Sequence, residues 1–389
     1  MKPFASVVVL IIVASLAGCR GTGKQQQPQP GAQLERRGEE IMVAGQLFHV
    51  GAPVVLWTDP GGYDAYRVER RFVPWEQASW AATTREGKEA NTPNRYGVRE
   101  SVLTDEELEL VRGGGWPLEL LQQKVDQFVI HYDVAGTSRQ CFKVLHDMRN
   151  LSVQFMLDLD GTIYQTLDAK ERAWHAGTAN SRSVGIEIAN MGAYGGNEFA
   201  PLDQWYKKDQ DGNTIITIPQ RLGDGGIRTP NFQGRPARNE LIRGKVQGRE
   251  LRQYDLTPQQ YDSLIKLTAA LCTIFPKLEC DYPRLKSSYE NQPQEKQQSP
   301  EAIARPGEQG KLIPHVLSDD QLREYQGLLG HYHVTTSKVD PGPAFQWDYV
   351  IREARKRMSE QAMAANARER GKPVQERPRE PRRRIASSN

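Results

Sequence analysis

The stretch Val125-Asp126-Gln127-Phe128-Val129-Ile130-His131 decides the fold class. A short run of branched and aromatic residues, Phe128-Val129-Ile130, reads as an apolar strand ending at His131. Working outward, Thr137 with Gln140 reads as a capping box. Cys141, Val144, Leu145 and Met148 follow at i, i+3, i+4 and i+7, the stripe of a helix packed on a sheet. Val153 to Leu157 predicts a strand, Asp160-Gly161 a hairpin turn, Thr162 to Thr166 the return strand, and Ser183 to Ala189 another strand. This succession is α/β.

Further along, Thr257-Pro258-Gln259-Gln260 is a strong helix start, with Pro at the first helical position and Leu256 and Tyr261 placed as a hydrophobic staple. Tyr261, Leu264, Ile265, Leu271 and Phe275 line one face, and Pro276 ends the helix. Leu328 to Val334 reads as a strand and Ala344 to about Ala365 as a final helix. Two long insertions interrupt the pattern: 192–252 is rich in Gly, Asn and Arg, and 281–312 in Gln, Glu, Lys and Pro. Both exceed ordinary connections. In the lead segment, 35–120, Phe48 to Trp57 suggests one or two short strands, and Thr104-Asp105-Glu106-Glu107 opens a short helix. No chemistry is legible there.

The chain has 389 residues, 38% apolar and 25% charged, with a net charge of +3. The last 29 residues carry eight Lys/Arg against three Glu, +5, so the other 360 sum to −2, which excludes a globally basic nucleic-acid binder. The tail from 361 is basic and reads as largely disordered. At the other end, Lys2, the apolar run Ala5 to Leu16 and the small residues after it read as a secretory signal peptide over 1–18. Leu16-Ala17-Gly18-Cys19 resembles a bacterial lipoprotein box, which implies cleavage before Cys19, acylation of its thiol and attachment to a membrane. Residues 19–34 form a Gln/Pro/Gly-rich flexible tether. Of the remaining thiols, Cys141 reads as buried and inert. A Cys272–Cys280 bridge is open but undecided by spacing.

Three further motifs accompany His131. They are Trp174-His175-Ala176-Gly177, Gly185-Ile186-Glu187-Ile188, and Gly330-His331 leading to Lys338-Val339-Asp340-Pro341-Gly342-Pro343-Ala344-Phe345. In this order the set resembles the zinc-dependent N-acetylmuramoyl-L-alanine amidases of the amidase-2 / peptidoglycan recognition protein family. The resemblance covers Val125 to Ala189, Leu256 to Phe275 and Leu328 to Trp347, about two fifths of the chain. It implies a mixed central β-sheet flanked by helices, with an open groove on one side, and places the domain over 121–360.

Residue by residue, the resemblance makes His131, His331 and Asp340 ligands of Zn²⁺. Two imidazoles and a carboxylate suit that ion and leave a fourth position for water. Glu187 matches the catalytic acid/base, and its place in an alternating strand sends it to the face opposite Ile186 and Ile188. Lys338, two residues before Asp340, is placed to stabilise the oxyanion. Trp174 and His175 match cleft-lining, substrate-binding positions. This chain departs from the family at Gln154, where relatives often carry His, and at His333, where they often carry an acid. On a strand His333 would face the same way as His331 and compete as a ligand; His331 is preferred because Gly330 matches the preceding position. His146 lies off its helix's apolar stripe and reads as solvated; His49 and His315 match nothing.

The expected function is therefore hydrolysis of the amide between N-acetylmuramic acid and L-alanine in peptidoglycan or muropeptides. The enzyme would be a monomer, lipid-anchored on the periplasmic side of the bacterial outer membrane, since Arg20 and not Asp follows Cys19. The rival reading is a non-catalytic peptidoglycan-binding lipoprotein. The complete set of candidate ligands, together with Glu187 and Lys338, favours the enzyme.

Overall fold

A computed structural model describes residues 29–79, 95–196 and 199–370, with side chains up to 364. The chain divides into a short leading unit, Met1–Arg37, and a large unit, Gly38–Asn389. All that follows concerns the large unit. Cys19, the signal peptide, most of the tether and the tail beyond 370 lie outside the described residues.

Six strands form the central sheet: β1 (Val54–Leu56), β2 (Gln127–Tyr132), β3 (Phe155–Leu157), β4 (Ile163–Gln165), β5 (Ser183–Ile188) and β6 (Gly327–Gly330). Their spatial order is β6-β2-β5-β3-β4-β1. Every neighbouring pair is parallel except the hairpin β3–β4, so the sheet is mixed. The hairpin turns at Asp160-Gly161, where φ of +85° and the nearness of Gln259 O, 2.8 Å from where a Cβ would sit, require glycine. The lead segment supplies β1 at one edge and also the antiparallel hairpin Glu40–Val43/Gln46–His49.

Strand alternation sorts the two faces. Phe128 and Ile130 of β2 and Val184, Ile186 and Ile188 of β5 join one core with two long helices. Those helices are Pro258–Ile274 and Trp347–Arg370. The first starts as the sequence predicts: Thr257 Oγ1 accepts from Gln260 N, and Gln260 Oε1 accepts from Thr257 N. On the opposite face Cys141, Phe142 and Leu145 pack with Met156 and Tyr164. His131, Gly185 and Glu187 point to this second side.

Several expectations are corrected. The helix after β2 is α-helical only over Ser138–Phe142 and then widens into a π turn, Lys143–Met148, which leaves Met148 exposed. The widened turn also buries His146, which stacks on Phe142 and binds Asp147 Oδ1 at 2.9 Å and Arg67 O at 2.8 Å; it is not solvated. The strand expected to Val334 stops at Gly330, and His331–Val334 is a helical turn. The final helix begins at Trp347; before it, Ala344 N donates to Gln253 Oε1 and Gln346 N to the Tyr261 hydroxyl, which hold the loop outside the helix. The insertions are ordered excursions built on small hairpins, Tyr206–Lys208/Thr214–Ile216, Ile242–Val246/Arg249–Gln253 and Arg284–Lys286/Gly310–Leu312. Cys272 and Cys280 are free thiols. No helix among the described residues is long and apolar enough to cross a membrane.

Candidate active site

The parallel register of β2 and β5 sets His131 directly beside Glu187. Next to β2, β6 ends at Gly330, so His331 leaves the sheet edge next to His131. Asp340 returns to the same point from the loop that follows. That loop is pinned by the hairpin Ile242–Val246/Arg249–Gln253: Gln253 Nε2 donates to Pro341 O (3.0 Å), and Ala344 N donates to Gln253 Oε1 (3.0 Å). Gly342 (φ +84°) lies so close that a Cβ there would meet Gln253 Oε1 at 2.2 Å. The Asp340–Pro341 peptide is cis.

Three ligand atoms converge. His131 Nδ1 lies 2.9 Å and His331 Nδ1 3.0 Å from Asp340 Oδ2, and the two Nδ1 atoms are 3.0 Å apart. All three side chains are buried. Protons on both Nδ1 atoms would collide, whereas a cation among the three relieves the clash. Atoms bound to one tetrahedral zinc at about 2.0–2.1 Å sit about 3.3 Å from each other, so the donor set fits this ion with only a small expansion. The group is the one among the described residues whose His, Cys, Asp and Glu atoms cluster closely enough to hold a metal. Burial, and then the neighbouring His331, pushes the His131 imidazole down to about 4, which keeps it neutral and ready to ligate. Burial alone would raise Asp340, but its bonds to both histidines hold the carboxyl well below the usual range.

The cluster opens onto a cavity of about 500 Å³ bordered also by Glu187, Lys338, Trp174 and His175. Glu187 is otherwise unpaired: its buried Oε2 has no hydrogen-bond partner. Burial, followed by the charges of Asp340 and Asp133, raises its carboxyl well above the usual value, and Lys338 and Arg149 oppose the shift. A carboxyl poised this way in a cleft is what proton transfer requires. His333 is not part of the cluster. On a helical turn it points away from His331, its Nδ1 accepts from Gly330 N (2.8 Å), and its Nε2 faces Ile313 O (2.8 Å). His175 lies 3.0 Å from His131 on the side away from Asp340. Gln154, in place of a histidine, accepts from Gly185 N (2.8 Å) and donates to Glu171 O (2.8 Å), so it braces β5. His49 and His315 are exposed and lie outside the cluster.

Two cavity residues escaped the sequence reading. Asp133 accepts from Ala135, Gly136 and Asn190 N–H through Oδ1, and burial pushes its carboxyl up to about 7. The signal was the Asp133…Gly136 turn pattern. Trp205 comes from the first insertion and closes over Gly136, where a Cβ would lie 2.4 Å from the indole. Nothing in its local sequence marks it.

Residues 121–343, more than half of the chain, match the Amidase_2 family, N-acetylmuramoyl-L-alanine amidase, and the chain belongs to that family. Membership supports a peptidoglycan amidase activity. No curated protein matches the chain. Among solved structures, a selenomethionine AmpD derivative is 14% identical, with 67% of this chain and 89% of that chain covered and a TM-score of 0.27. The Escherichia coli amidase AmiD, in complex with anhydro-N-acetylmuramic acid-L-Ala-D-γ-Glu-L-Lys, is 15% identical (59% and 57% covered, TM-score 0.30). The amidase LysC from Clostridium intestinale URNW is 13% identical (60% and 88% covered, TM-score 0.27).

Proposed function

We propose that this chain is a zinc-dependent N-acetylmuramoyl-L-alanine amidase that cuts the bond between N-acetylmuramic acid and L-alanine in peptidoglycan or its fragments. The observation that carries the proposal is the buried His131–His331–Asp340 cluster opening onto the same cavity as the unpartnered carboxyl of Glu187. His131, His331 and Asp340 would hold zinc, which would supply Lewis-acid polarisation of the amide carbonyl and of the attacking water. Glu187 takes a proton from that water and delivers it to the leaving nitrogen. Lys338, on the cavity wall, places an ammonium where negative charge develops on the carbonyl oxygen. Trp174 offers an aromatic wall to the sugar or stem peptide.

The N-terminal reading completes the proposal. The enzyme is a monomeric lipoprotein acylated at Cys19 and held at the outer membrane facing the periplasm, supported by Leu16-Ala17-Gly18-Cys19 and Arg20. Metal analysis with mass spectrometry of digested peptidoglycan tests the activity. One zinc per chain, free stem peptides beginning with L-Ala and glycans lacking peptides are expected. Glycans that keep their stems after prolonged digestion by zinc-loaded protein refute the enzyme and leave a binding protein.

A further inference from the structure

His131 has two working nitrogens, and only Nδ1 faces Asp340 and His331. The other, Nε2, lies 3.0 Å from His175 Nδ1, with the two rings nearly perpendicular at 87°. His175 is engaged again on its far side, where Nε2 is 3.3 Å from Ser183 Oγ. With both nitrogens taken, the His175 ring offers no polar atom to a substrate, although it borders the cavity.

The ring is held by three devices. Asn180 Oδ1 accepts the backbone N–H of His175 (3.2 Å) and of Ala176 (2.7 Å). Gly185, on β5 beneath the ring, leaves the space: a Cβ there would lie 2.5 Å from His175 Cε1. Arg99, buried and reaching in from the lead segment, donates to both ends of the loop that carries His175. Its bonds go to Ala169 O (2.8 Å), Lys170 O (3.0 Å) and Glu171 O (2.9 Å) before the histidine, and to Asn180 O (3.2 Å), Ser181 O (3.1 Å) and Ser183 O (2.9 Å) after it.

We infer that His175 is a positioning residue for the metal ligand His131: it accepts the Nε2 proton of His131 and so fixes the tautomer and ring plane in which Nδ1 is a free donor to the metal. Arg99 and Gly185 keep His175 in place for this. A neutral imidazole carries one proton, and the partner of one nitrogen decides the state of the other. Removing the acceptor lets that proton settle on Nδ1 and lets the ring turn, and both oppose ligation. Outer partners of this kind typically contribute 10–100-fold to metal affinity. The inference rests on the zinc site proposed above.

The test compares full-length wild type with His175→Leu, His175→Gln and Gly185→Ala. Zinc affinity is read by competition with a chromogenic chelator, and the thermal midpoint is read on the metal-free proteins. His175→Leu is expected to bind zinc about 10–100-fold more weakly. His175→Gln, whose Oε1 accepts where Nδ1 did, retains most of the affinity. Gly185→Ala leaves the chemistry of His175 intact but displaces its ring, and its affinity falls between the two. The metal-free midpoints of the Leu and Gln variants should agree. Wild-type affinity in His175→Leu, Gln as poor as Leu, or affinity losses that merely follow the midpoint each overturn the inference. A wild type that takes up no zinc at all overturns the metal-site reading itself, and the inference falls with it.

Discussion

Replacing Glu187 with Gln separates proton transfer from everything else the cavity does. Gln keeps the length and outline of the side chain and loses only the basic carboxylate. No ion pair among the described residues involves Glu187, and its buried Oε2 has no partner. The substitution therefore breaks no structural bond. It also removes a carboxyl that burial makes costly to ionise, so the folded state should lose nothing. Zinc content and affinity for muropeptides should match wild type, since neither ligation nor binding is assigned to this carboxylate. The rate is another matter. Loss of a positioned general base costs 10²–10⁴-fold, about 2.7–5.4 kcal/mol of barrier. The assay measures turnover on a purified muropeptide at saturating concentration, together with the thermal midpoint and zinc content of the same preparation. A variant with a lowered midpoint and normal turnover per folded molecule would remove Glu187 from the mechanism and make it a brace of the sheet.

Other expectations follow from the same geometry. His131→Ala and His331→Ala should each abolish zinc retention, because a two-ligand site seldom holds the ion. His333→Ala should keep zinc yet lose about 2–4 kcal/mol of stability, since it strands Gly330 N–H and Ile313 O in the interior; zinc loss in His333→Ala with retention in His331→Ala reverses the assignment. Burial pushes the Asp158 carboxyl up to about 8, with Oδ2 unpartnered. The native state thus keeps a proton that the unfolded chain releases above about 4, and stability falls as pH rises between those values, by up to about 1.4 kcal/mol per pH unit. Asp158→Asn should flatten urea midpoints of metal-free protein between pH 5 and pH 8, and an unchanged slope refutes the assignment. Cys19→Ser should shift the protein from the membrane fraction to the soluble one; a variant still firmly membrane-bound sinks the lipid anchor.

The sheet interior was legible because its strands are short and apolar with chemistry-bearing residues in fixed phase. Phe128, Ile130, Val184 and Ile186 face one way, and that alone sends His131 and Glu187 the other. The capping residues Thr104 and Thr257 were legible for a local reason, since their bonds span three residues. What escaped depends on partners far away in sequence. His333 misleads because a strand pattern runs unbroken into a helical turn, where its ring turns back to Gly330 N and reaches the distant Ile313 O. His146 hides behind a π turn that shifts the phase of its stripe. Arg99 looks like any loop arginine until six carbonyls from two distant segments gather around it. The insertions reveal composition but not contacts, so Gln253 gripping the Asp340 loop and Trp205 walling the cavity had no local sign.

The strand order also sets a timetable. His131 leaves the ribosome 200 residues ahead of His331, and Asp340 comes later still. Until β6 is made, β2 has an open edge on the side where the metal ligands will gather, and such edges invite pairing with other chains. A growing chain in that state owns a single imidazole of the set and has no chelating site to load. Closure of the sheet by its last strand and assembly of the donor cluster both depend on contacts about 200 residues apart in sequence. The donor set is complete only once Asp340 has been made.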